Sequence, residues 1–140
     1  MGLQETYRGI RVVDFSENIA GPLACMILGD LGADVVKVER PGVGDSTRSL
    51  PPHFGESSTV FETVNRNKRS VELDLGSPDG KRAALAICRD ADVVVESFRP
   101  GVADRLGDLA RQRRKMDETA GDAGRQASEQ PVHQRIAQVE

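Results

Sequence analysis

The run ADVVKVERPG, residues 33–42, carries strand character up to Arg40 and then turns at Pro41 and Gly42. A guanidinium in that position is a planar fork of donors that matches phosphate or carboxylate oxygens two at a time. Two other apolar runs also end in groups with chemical capability. GIRVVDFSEN delivers Ser16 to Asn18, and ADVVVESF delivers Glu96, Ser97 and Phe98. Gathered on one edge, an arginine, small polar groups and an aromatic face suit an anionic, nucleotide-like ligand. Plainer uses compete with this one. An ion pair to Glu39 or another neighbouring acid would account for Arg40, and core packing would account for Phe98.

Other chemistry-bearing residues are less specific. Asp14 ends a valine-rich run, either as a carboxylate at a sheet edge or as an inward acid satisfied by backbone amides or a loop residue. NRNKRS (65–70) puts three cations ahead of a strand, which suits either phosphate attraction or an ordinary exposed loop. PGVGDSTR (41–48) has two glycines but neither the GxGxxG order nor the Lys-Ser/Thr of a phosphate loop, and reads as a turn. His53 and His133 lack partner acids or nucleophiles at a diagnostic spacing. Cys25 and Cys88 stand far apart in helical patterns, as core thiols rather than metal ligands or a disulfide.

The elements that must position Arg40 and its companions follow from periodicity. Residues 9–16 and 33–40 read as buried strands, with a helix between them on which Leu23, Ile27, Leu28 and Leu31 recur at helical spacing and Gly32 supplies the stop. Together they form one βαβ unit. Residues 41–63, rich in Pro and Gly, read as an extended surface excursion. A strand at 69–75 follows, then a helix at 77–90 with Ser77 as N-cap and Pro78 in the first helical position. A strand at 91–98 leads into a further helix over 99–107. The alternation implies an α/β fold with a mainly parallel sheet, in which ligands bind beyond the carboxyl ends of the strands. From Asp108 onward the apolar stripes vanish and charges of both signs mix, as in a solvated helical or disordered tail. Its basic cluster RQRRK (111–115) reads as a solvated face.

Composition narrows the function classes. The 140 residues carry a formal net charge of −3 and no Trp, which argues against a nucleic-acid binder needing a basic face and stacking aromatics. No run approaches the ~20 apolar residues of a membrane span, and MGLQETYRG lacks secretory features. The expectation is a soluble cytoplasmic protein with neither a membrane nor a metal site.

In order along the chain, AGP, LGADVVKVE, NRNKRS, LDL and ADVVVESFRPG resemble the amino-terminal part of the family III CoA-transferases, the CaiB/BaiF group. That group includes formyl-CoA and carnitine CoA-transferases and the related α-methylacyl-CoA racemases. The resemblance spans residues 9–107 and implies the partial, Rossmann-like large domain of such an enzyme, with residues 108–140 a divergent tail. It implies CoA or acyl-CoA as ligand, a carboxylic acid as co-substrate, and an interlocked homodimer.

Residue by residue, the resemblance places Arg40 and Arg105 near the CoA phosphates and Leu73 on the adenine side. Ser97 and Phe98 line the CoA site, and Asn18 and Ile19 stand near the thiol end. Two departures imply a weaker grip on CoA: many relatives have Asn at the position of Ser97, and a basic residue can stand at that of Gly76. In the transferases an aspartate attacks the acyl-CoA carbonyl. The resemblance puts that aspartate beyond residue 140, so no catalytic residue is assigned, and neither Asp117 nor Asp122 inherits the role. The alternatives are a non-catalytic CoA-binding module, an inactive fragment, and part of an acyl-CoA racemase.

Overall fold

The structure, a computed structural model, describes residues 2, 5–99, 101–102 and 137–138. Its main sheet is parallel throughout: β1 (Arg11–Asp14), β2 (Asp34–Glu39), β5 (Lys68–Glu72), β6 (Val93–Glu96) and the two-residue β7 (Ala137–Gln138). The spatial order is β5-β2-β1-β6-β7. The chain thus runs outward from β1 to one side through β2 and β5, then returns to the other side for β6. That reversal makes a switch point between β1 and β6, and ligands of such sheets bind beyond the carboxyl ends of the strands.

Alternation along the strands separates two apolar cores. Val12, Val35 and Val95 pack with Cys25 and Ala33 under α1 (Ala20–Asp30), whereas Val13, Phe15 and Val38 pack with Ala84, Cys88 and Ala91 under α3 (Pro78–Arg89). Successive side chains on a strand face opposite ways, so one valine pair feeds both layers. Both cysteines are buried core thiols, and burial is the main cause pushing each up to about 12.

α3 is built as its sequence implies. Ser77 accepts a hydrogen bond from the Gly80 amide at 3.0 Å, and Pro78 occupies the first turn. Gly80 is required there, because a Cβ would lie 1.9 Å from the Asp74 carbonyl oxygen. α1 differs from the expected leucine stripe. It buries Gly21, Pro22, Cys25 and Met26, while Leu23 and Ile27 remain 38% and 48% exposed. The small face wins because the helix presses close to the sheet edge: a Cβ at Gly21 would meet Ser16 at 2.3 Å.

The span 41–63 is also more ordered than its turn-rich composition implies. It holds a 3-10 turn at Ser46–Ser49, a hairpin of β3 (His53–Phe54) and β4 (Ser57–Ser58), and the helix α2 (Thr59–Asn65). Ser58 caps α2 by accepting from the Phe61 amide, and Phe61 and Val64 are buried. A helix of 7 residues leaves too short a periodic signal to stand out beside Pro51, Pro52 and Gly55. Of the span read as a tail, only Ala137–Gln138 is described, as the short strand β7. Residues 103–107, most of the further helix expected there, lie outside the described residues. Among the described residues, no helix is long and apolar enough to cross a membrane.

Candidate functional site

Two charged regions meet at the carboxyl edge of the sheet. The inner one is sealed. Asp14, fully buried, accepts from the Ser16 amide at 2.9 Å, from the Ser16 hydroxyl, and from Lys68 Nζ at 2.9 Å. Lys37 Nζ donates to the Ser16 carbonyl at 2.7 Å and lies 2.8 Å from Asp45 Oδ2 and 3.9 Å from Asp14. Lys68 also donates to the Pro22 carbonyl and to Asn65 Oδ1. Burial lowers the Lys68 pKa, and Asp14 opposes that shift. For Asp45 burial acts upward, but hydrogen bonds from Lys37 and Thr47 outweigh it and hold the carboxyl below its ordinary value.

Glu39 closes the same region. Arg48 clamps it with two contacts of 2.7 Å, the Ser70 hydroxyl adds one at 2.6 Å, and the Asp45 amide one at 2.9 Å. The Arg48 guanidinium also lies 3.7 Å from the Phe61 ring centre. Burial pushes the Glu39 carboxyl up, but these donors overcome it and hold the group at about 2. The arrangement fixes the strand ends and the loop that follows β2.

The cations of NRNKRS all have carboxylate partners, one inside this region and two on the surface. Arg66 pairs with Asp30, Lys68 with Asp14, and Arg69 with Asp34. Asp14 is accordingly the inward acid, and its partners are Ser16 and two lysines.

The outer region is open. A crevice of about 650 Å³ lies beyond β1, β2 and β5, with Phe15, Val38, Leu73, Leu75 and Phe98 among its apolar walls and Glu17, Arg40 and Asp74 among its polar ones. The Phe15 and Phe98 rings stand 6.1 Å apart at 47°, so Phe98 serves the core and the crevice together. Arg40 Nε is 3.4 Å from Glu17 Oε1, and the two side chains are 59% and 40% exposed. The acid beside Arg40 is therefore Glu17, because Glu39 is turned inward to Arg48.

Of the residues singled out in the sequence, the crevice unites Arg40, Leu73 and Phe98. Ser97 is exposed beside it, and its Oγ accepts from the Glu17 amide at 3.2 Å. Asn18 and Ile19 stand apart at the start of α1. Asn18 adopts φ 69°, held by Ser46 Oγ on its side-chain oxygen at 3.0 Å and by its own amide donating to Asp45 at 3.4 Å. Ile19 is 45% exposed at the N-cap. Arg105, Asp117, Asp122, His133 and the cluster 111–115 lie outside the described residues. His53 is exposed on β3. Sequence reasoning passed over Glu17, whose only signal was a carboxylate among the residues that end β1.

The crevice lining, with Phe98 and Leu73 among the apolar walls and Arg40 among the polar ones, can take an anion together with a flat ring. The sequence profile described as CoA-transferase family III matches residues 7–118. The chain is 47% identical over 100 residues to a succinyl-CoA:glutarate CoA-transferase of Mus musculus, covering 71% of this chain and 23% of that protein. It is 44% identical over 106 residues to a formyl-CoA:oxalate CoA-transferase of Rhodopseudomonas palustris, covering 75% and 25%. A crystal structure of a CaiB/BaiF family protein from Brucella suis superposes with a TM-score of 0.71 at 35% identity, over 78% of this chain and 30% of that one. The chain thus spans about a quarter of the length of the curated relatives it matches.

Proposed function

The chain belongs to CoA-transferase family III, and on that premise we propose that its strand-end crevice binds the nucleotide portion of CoA or an acyl-CoA, in a protein that moves CoA between an acyl-CoA and a carboxylic acid. The observation that carries this reading is the convergence of Arg40, Leu73 and Phe98 on one open crevice beyond the carboxyl ends of the parallel strands. Arg40 pairs with the phosphates, the adenine lies against Phe98 and Leu73, and Ser97 and Arg105 complete the nucleotide side. Asn18 and Ile19 belong to the thiol end, where the turn held by Asp45 and Ser46 fixes the backbone.

The bound thioester supplies the activated acyl carbon; this chain's residues bind and orient the carrier. No residue here is assigned as the nucleophile. The carboxylate that attacks the acyl group belongs to sequence beyond the quarter shared with the relatives. The transferase reading is preferred to a racemase because the relatives described above are named as CoA-transferases. The working assembly is a homodimer, and the compartment the cytoplasm.

Calorimetric titration with CoA tests the site. The wild-type chain is expected to bind saturably, and Arg40→Ala to bind about ten- to a hundredfold more weakly, as befits a charge-assisted pair of about 1.5–3 kcal/mol. Absence of saturable binding, or equal affinity in the two proteins, contradicts the assignment.

A further inference from the structure

Arg40 is the one cation among the described residues lining the crevice, and it is already engaged by a carboxylate. Glu17 holds that place through its backbone. Ser16, immediately before it, is fixed by Asp14 and Lys37, and the Glu17 amide donates to Ser97 Oγ. The carboxylate is thereby presented to the guanidinium from the end of β1. The contact is loose, however: 3.4 Å between largely solvent-facing side chains, against two contacts of 2.7 Å for Arg48 on buried Glu39. Exposed pairs of this kind are cheap to open.

Resting on the reading of the crevice as a CoA site, we propose that Glu17 is a built-in counter-anion, occupying Arg40 when the crevice is empty and displaced by the ligand's phosphates. It is a specificity residue. An anion must outcompete a tethered carboxylate for the guanidinium, and after displacement it lies near the charge of Glu17. A weakly charged ligand gains too little from Arg40 to do so, whereas a densely charged phosphate group does.

The test is calorimetric titration of the full chain, with CoA as the anionic probe and adenosine as the uncharged one, across wild type, Glu17→Gln, Arg40→Ala and the double variant. At low salt, Glu17→Gln is expected to tighten CoA binding about two- to fivefold, the range an exposed ion pair covers. It should leave adenosine unchanged and lose most of its gain in the Arg40→Ala background. A gain that persists in full without Arg40 reveals general repulsion and overturns the counter-anion role. An unchanged CoA affinity in Glu17→Gln, with Arg40→Ala still weakening it, overturns the role while leaving the CoA site standing. If no variant binds CoA saturably, the CoA site itself fails and the inference with it.

Discussion

Arg48 and Arg40 lie eight positions apart on the loop that leaves β2, and each faces a carboxylate, yet the two pairs serve opposite ends. The Arg48–Glu39 pair is bidentate, reinforced by Ser70 and the Asp45 amide, with the carboxylate out of solvent. The Arg40–Glu17 pair is single, longer and exposed on a crevice wall. A pair whose carboxylate is saturated with donors and out of solvent fixes a loop. A pair with spare hydrogen-bonding capacity facing an open volume can exchange its partner for a ligand. The same residue types therefore divide into scaffold and site by burial and saturation.

Lys37→Met should break the comparison hardest, on the scaffold side. It leaves Asp45 Oδ2 and the Ser16 carbonyl without their ammonium in a buried setting. Removing one partner of a buried pair costs about 3–5 kcal/mol, a large share of a small domain's stability. Denaturant unfolding should show the loss, and a midpoint unchanged from wild type would mean the inner network is not structural.

Glu39→Gln should have the next largest effect, with a pH signature. The folded protein holds Glu39 at about 2, against an ordinary value of 4.5, so the group stabilises the fold above that ordinary value. That contribution is lost as pH falls from about 4.5 toward 2. Thermal melts in wild type should fall through this window more steeply than in Glu39→Gln, which starts lower at neutral pH. Parallel pH profiles would show that the clamp contributes nothing through its charge.

On the site side, Phe98→Ala should cost both binding and stability, because the ring packs on Phe15 and lines the crevice. About 1–3 kcal/mol of stability is expected from the half-buried ring, with CoA affinity reduced in the same protein. A stability loss with CoA affinity intact would remove Phe98 from the site. Glu17→Gln should be the mildest for the fold. Its unfolding free energy should stay within about 0.5 kcal/mol of wild type, as for exposed pairs generally, and a larger loss would make Glu17 scaffold rather than site.

Much of the scaffold was legible because its signals are local. Valine runs, the Ser77-Pro78 start of α3 and the Gly32 stop each state an element within a few residues. Arg40 and Phe98 were legible because strand ends gather at one edge once the sheet is parallel, whereas Leu73 was pointed to only by the resemblance to the family. What escaped depends on contacts remote in sequence. The choice of Gly21 and Cys25 over Leu23 and Ile27 as the buried face of α1 is set by the approach of Ser16. The pairing of Lys68 with Asp14 spans 54 positions, so NRNKRS could not disclose that its lysine was buried against an acid of β1. Glu17 was hidden for the same reason, because its role exists only beside Arg40.

The most direct test of the division between sealed and open pairs is the salt dependence of CoA affinity in wild type and Arg40→Ala, followed by calorimetry between low and physiological ionic strength. The account predicts that wild-type affinity falls as salt rises and that Arg40→Ala, weaker throughout, shows a clearly shallower fall. Parallel slopes in the two proteins would contradict it, because Arg40 would then carry none of the ligand's charge.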